Sequence, residues 1–358
     1  MVRTIRGMRA RLVTTAAVCF AVTGVAAATA GSGGTIAENL GNPRGIDVGP
    51  GKRVLVVESA TGAIDEIRKG ETRTIATVPN AVDVAASGSG KLYVVVGGPG
   101  PGAPPPPPGS PFAKLVRVGH NGQAEVIADI GAYEAQNPDP DDLDMPANPT
   151  ESNPNGLALL PGHGVLVADA AANRLLLVGN HGQITTVARF RPERVAWTLP
   201  NPPSPTVLAE AVPTAVAVGP DGAWYVSELT GFPFTKGAAR IWRIQPGTVD
   251  AVCDPANPDP TGRCQSVATG FSSVIDLAFG PDGTMYVLEI AKNGLAGALV
   301  LNTEFPPIGA LWAVKNGSRT AVSDSLVAPG GVAVDHGDIF VTTLTFGPPG
   351  GTVVNLGG

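Results

Sequence analysis

The chain has 358 residues, a net charge of −6, 47 glycines, 35 prolines and three cysteines. Its acidic balance repels phosphate and argues against nucleic-acid binding. Charged residues make up only 15% of it and helix-favouring runs are few, which points to an all-β protein.

Residues 1–30 read as a secretory signal peptide. Arg3, Arg6, Arg9 and Arg11 form a charged leader, Leu12 to Val25 is apolar, and Ala28-Thr29-Ala30 fits a small-residue cleavage site. The apolar run is too short to span a bilayer, although an uncleaved anchor is the alternative. No later segment approaches a membrane span. The mature domain, residues 31–358, is expected to be secreted and extracellular, and loss of four arginines takes its charge from −6 to −10. Cys19 leaves with the signal. Cys253 and Cys264 remain and are expected to form a disulfide in an oxidising compartment.

Thr35–Leu40 is the first strand signal. A phrase of strand, tight turn and strand then recurs six times: Gly45–Glu58, Val82–Val95, Gly156–Asp169, Ala215–Glu228, Asp276–Glu289 and Val332–Thr342. Third strands follow at Lys114–Val118, Arg174–Val178, Arg240–Ile244 and Ala310–Val314. Fourth strands follow at Glu125–Asp129, Ile184–Ala188, Gln265–Thr269 and Arg319–Ser323. Four alternating strands joined by tight turns make one antiparallel blade, so the pattern predicts a six-bladed β-propeller. The last unit ends one strand short after Gly350–Leu356. Thr35–Leu40 is expected to supply that strand and close the ring; an open stack would leave two exposed edges.

This topology sorts the loops by face. Gly97–Pro111, Gly131–Asn153, Arg191–Val212, Leu229–Ala239, Ile290–Gly309 and Leu344–Gly350 share one face. Insertions gathered this way mark the binding face of a repeat ring. Phe112, Tyr133, Trp197, Phe232, Phe234, Phe305 and Phe346 lie on them. These rings form an apolar ligand or partner surface, or else anchor the loops to the blades. Gln245–Arg263 is the exception, on the opposite face and stapled by Cys253 and Cys264. Pro104–Pro108 reads as a stiff, solvated spacer.

Candidate chemistry is sparse. His120, His163, His181 and His336 all fall in hairpin turns on the plain face, which weakens any histidine-dependent reaction. Glu58, Asp169, Glu228 and Glu289 each end a second strand. They are metal-ligand candidates, with calcium the cofactor in view, or loop caps that accept backbone N–H bonds. Asp47, Asp83 and Asp276 lie on the first strands, where they line a water-filled channel or hold a cation. Asp139–Asp144 lacks the glycine and final carboxylate of a calcium loop and reads as a solvated acidic loop.

The stretches Glu151–Leu157, Val165–Ala170, Val212–Gly222, Ser227–Phe234 and Ile275–Gly283 resemble the ScyD/ScyE family of secreted six-bladed propellers. The resemblance runs from about Thr35 to Leu356, and Glu228–Phe234 is its most specific segment. It implies the propeller fold, with no established catalytic residues to carry over. The fold it implies is also that of NHL-type propellers, lactonases and sugar dehydrogenases, and those enzymes carry a metal tetrad or catalytic histidine not found here.

The resulting expectation is a secreted, monomeric, non-catalytic binding propeller. Its partner is a small molecule or an extracellular protein, held by Trp197, Glu228, Phe232, Phe234 and Glu289 on the insertion face. The alternative is a divalent-cation-dependent lactonase or lyase acting at the channel mouth.

Overall fold

A computed structural model describes residues 34–100, 109–162, 164–347 and 350–357. The signal segment, the Pro104–Pro108 run and His163 lie outside them.

Six four-stranded antiparallel sheets form a ring of blades, a β-propeller. The blades begin at Pro43–Gly49, Ala81–Ala86, Pro154–Leu160, Pro213–Val218, Val274–Phe279 and Val332–Asp335. Thr35–Leu40 pairs antiparallel with Gly351–Asn355, as the outer strand of the sixth sheet. Burial follows radial position. The second strand Arg53–Glu58 packs between neighbouring blades on both sides, and Leu55, Val56 and Val57 are fully buried. A strand covered on both faces needs a continuous apolar run, which this one has. The outer strand Glu71–Thr77 is mostly exposed and polar.

Tight turns set the register. In Gly219-Pro-Asp-Gly222, Gly222 adopts φ 77°, and its N–H donates to Gly219 O at 2.9 Å. Asp221 Oδ1 accepts from Ala223 N at 3.1 Å. Glycine tolerates the left-handed conformation, and the aspartate satisfies the turn amide.

Blades meet closely at the axis. A Cβ on Gly156 would lie 2.7 Å from Ala215 Cα in the next blade, so only glycine fits. Polar side chains cross each of the six seams. Asp47 Oδ2 accepts from Ala86 N at 2.7 Å. Asp83 Oδ2 accepts from Leu157 N at 3.1 Å, and Asn155 Nδ2 donates to Thr214 O at 2.8 Å. Thr214 Oγ1 donates to Val274 O at 2.8 Å, and Asp276 Oδ2 accepts from Val332 N at 2.7 Å. Thr342 Oγ1 donates to Arg44 O at 2.8 Å between the sixth and first blades.

Gln245–Arg263 is more than a stapled loop. Its segment Ala251–Cys253 adds a parallel fifth strand to the third blade, with Ala188 opposite Ala251 and Phe190 opposite Cys253. Cys264 begins the outer strand of the fourth blade. The Cys253–Cys264 disulfide, Cα atoms 5.6 Å apart, therefore joins two blades at their outer edges. It sits in a core with Phe190, Trp242 and Ile244. Replacing both cysteines with serine is expected to cost about 3 kcal/mol, from the loop-closure entropy of a short loop. Thermal denaturation would show the lowered midpoint, and an unchanged midpoint would contradict this role.

Candidate functional site

The four strand-ending carboxylates are held within their own surroundings. Asp169 is fully buried. Its Oδ2 accepts from Ser152 Oγ at 2.6 Å, and its Oδ1 from Asn153 N at 2.7 Å and Ala172 N at 3.3 Å. Glu289 Oε1 accepts from Ser272 N at 2.7 Å, and Glu58 Oε2 from Thr61 Oγ1 at 3.1 Å. Glu228 Oε1 accepts from Trp242 Nε1, and its Oε2 lies 3.2 Å from Arg240 Nε. Arg240 also pairs with Glu193, at the base of the hairpin Glu193–Ala196 and Thr206–Ala209. Among the described residues, no three His, Cys, Asp or Glu side chains gather as a metal-binding group.

The axis is narrow. Arg44, Asp83, Asn155, Thr214 and Asp276 surround a cavity of about 10 Å³, at the lower limit for one water. The expected water-filled channel is thus nearly closed here. Arg44 Nη2 crosses it to Asn155 Oδ1 at 2.8 Å. Burial raises the Asp83 carboxyl well above its usual range, and Asp276 raises it further. Burial likewise raises Asp276 to about 7 and raises Asp47.

The acidic crossing is less solvated than its composition suggests. Asp139 is only 8% exposed. Its Oδ2 accepts from Asn173 Nδ2 at 3.0 Å, and Leu143 N donates to Glu210 Oε1 at 3.2 Å. Burial pushes Glu210 up to about 7, with Asp144, Asp142 and Asp139 adding to the shift. Burial and the neighbouring Asp144 carry Glu151 to about 7. Asp142 closes the loop by accepting from the backbone N–H groups of Asp144 and Asn148. The loop reached into the blade edge through Asn173, a contact that composition does not reveal.

The insertion face brings aromatic residues from separate loops together. Trp197 comes from the hairpin between the third and fourth blades. Phe232 and Phe234 come from the second-to-third loop of the fourth. Trp197 meets Phe232 edge to face, centroids 5.4 Å apart, and Phe232 meets Phe234 at 6.1 Å. Thr235 Oγ1 ties the two loops by donating to Ala196 O at 2.7 Å. Phe232 stays 37% exposed. Met145, Leu208, Leu299, Leu301, Phe305 and Phe346 are also exposed on loops of this face. Phe234 is half-buried and packs against the core beneath. Tyr133 behaves differently, since its hydroxyl bonds Thr186 Oγ1 at 2.8 Å and anchors a short helix, Ile130–Glu134, to the third blade. Of the residues anticipated for this face, the three rings converge, whereas Glu228 and Glu289 lie buried beneath it. His120, His181 and His336 lie in turns of the opposite face.

No family model matches the chain, and no curated protein does. Solved structures do. A glucose dehydrogenase is 14% identical, with a TM-score of 0.54 over 91% of this chain and 99% of that one. The PQQ-bound aldose sugar dehydrogenase of Streptomyces coelicolor is 14% identical, with a TM-score of 0.51 over 90% and 96%. A protein of unknown function from Bacteroides thetaiotaomicron is 10% identical, with a TM-score of 0.54 over 87% and 69%. These likenesses are of fold. Among the described residues, no helix is long and apolar enough to cross a membrane.

Asp276, Glu151 and Glu210 titrate near 7 in the fold and near 4 in an unfolded chain. Between those values the folded protein keeps protons that the unfolded chain has released, so stability falls as pH rises through this window. The denaturation midpoint is expected to be higher at about pH 5 than at about pH 8. The substitutions Asp276→Asn and Glu210→Gln should flatten that slope. A midpoint that rises with pH over the same interval would contradict the assignment.

Proposed function

We propose that the protein is a secreted binding propeller that works without catalysis and recognises an apolar group of a small molecule or extracellular partner on its insertion face. One observation carries this reading: Trp197, Phe232 and Phe234, from two different loops, pack edge to face while Phe232 remains exposed. Loops that merely needed anchoring would bury such rings. An exposed aromatic cluster on tied loops is how binding surfaces are built. The carboxylates that could have served a reaction are engaged in capping bonds and blade contacts. The Cys253–Cys264 disulfide accords with an oxidising, extracellular setting. The resemblance to the ScyD/ScyE family points the same way, with Glu228–Phe234 leading directly into the aromatic cluster.

The test has two arms. Purified protein, with and without Ca²⁺, is offered sugar lactones, and sugars with a quinone acceptor; no turnover is expected. The dye 1-anilinonaphthalene-8-sulfonate is then titrated against the wild type and a Trp197→Ala/Phe232→Ser variant. Affinity should fall about tenfold or more in the variant, with the denaturation midpoint nearly unchanged. Turnover that disappears in Glu228→Gln or Glu289→Gln variants would overturn the reading, as would unchanged dye binding.

A further inference from the structure

Neighbouring blades meet along seams that reach the face of the tight turns, opposite the insertions. Between the fourth and fifth blades the seam is filled by aromatic rings. Tyr225 of one meets Phe279 of the other edge to face, centroids 4.8 Å apart, and Trp312 and Val314 join the same cluster.

The repeat places Tyr93 where Tyr225 stands. Tyr225 is paired across its strands with Arg243, and Tyr93 with Arg117. It places Leu159 where Phe279 stands. Phe279 is paired with Met285 at the end of its hairpin, and Leu159 with Val165. The other repeats carry Val48, Ala86, Val218 and Val334 at the position of Phe279, and Leu159 leaves the second and third blades without that ring. A cleft of about 580 Å³ is left there, lined by Tyr93, Leu115, Arg117, Ile127, Leu159 and Val178. Small-molecule sites run from about 300 to 1,000 Å³ and combine apolar walls with a few convergent polar groups.

The polar rim differs from its filled counterpart in the same direction. Arg243 gives both Nε and Nη2 to Asp221, at 2.8 and 2.7 Å. Arg117 gives one Nη2 bond, at 2.7 Å, to Glu125, whose side chain is 64% exposed. Such exposed pairs hold weakly, and a guanidinium has five donors. Arg117 also lies within reach of the Tyr93 hydroxyl.

We propose that the cleft between the second and third blades is a binding site for a small aromatic carboxylate. Its ring takes the place that Phe279 fills between the fourth and fifth blades. Its carboxylate sits at the rim on Arg117 and Tyr93. The site is separate from the aromatic cluster of the insertion face, and it stands whether or not that cluster binds anything.

The probe is 2-naphthoate, titrated calorimetrically into the purified protein. Saturable binding to one site is expected. Leu159→Phe restores the missing ring and should weaken binding about tenfold or more. Arg117→Gln should weaken 2-naphthoate by a similar factor and leave the neutral 2-naphthol within about twofold. That second variant keeps the test sharp if Leu159→Phe folds poorly. The Trp197→Ala/Phe232→Ser variant should bind 2-naphthoate as the wild type does. Absence of saturable binding, unchanged affinity in Leu159→Phe or Arg117→Gln, or loss in the insertion-face variant would each overturn the proposal.

Discussion

At every seam of the ring, a polar side chain near the axis bonds to the backbone of the next blade. Asp47, Asp83, Asn155, Thr214, Asp276 and Thr342 each do so once. The first strands converge so tightly at the axis that their backbone groups are cut off from water, and an unpaired buried amide or carbonyl is costly. Side chains that reach one blade forward remove that cost and fix the spacing between blades. The bond direction varies with the residue. Aspartate accepts from the next blade's N–H, whereas asparagine and threonine donate to its carbonyl. Chemistry differs from seam to seam, but the accounting closes at each.

This constraint explains why a chain rich in recurring carboxylates gathers no described metal group. Asp47, Asp83 and Asp276 are committed to neighbouring blades, and Asp169 and Glu289 to backbone amides of the crossings that lead into their own blades. Their burial raises their pKa values, which marks a structural load. The side chains that the ring does not use include the aromatic rings of the insertion loops on one face and, on the other, the lining of the cleft between the second and third blades, where the two proposals place binding.

Much of the fold was legible because blades announce themselves locally. Apolar alternation and Gly-Pro-Asp-Gly turns located the strands, and Lys114–Val118 and Arg174–Val178 begin and end where expected. Four things were hidden. Ala251–Cys253 is a three-residue strand inside a loop rich in proline and aspartate, and it pairs with another blade. The burial of Asp139 depends on Asn173, thirty-four positions away. The aromatic cluster was legible as composition on one face, but its contacts join loops from different units. The cleft lies between repeats, and its walls come together only once Tyr93 and Leu159 face each other across a seam. Local pattern specifies a blade, whereas contacts between blades depend on register around the ring.

If the axial carboxylates are structural seams rather than ligands, no cation should settle among them. A high-resolution crystal structure of the protein soaked in Ca²⁺ tests it most directly. No cation is expected on the axis, with Asp47, Asp83 and Asp276 still accepting from Ala86, Leu157 and Val332. A calcium ion coordinated by those three carboxylates, with their cross-blade bonds broken, would contradict it.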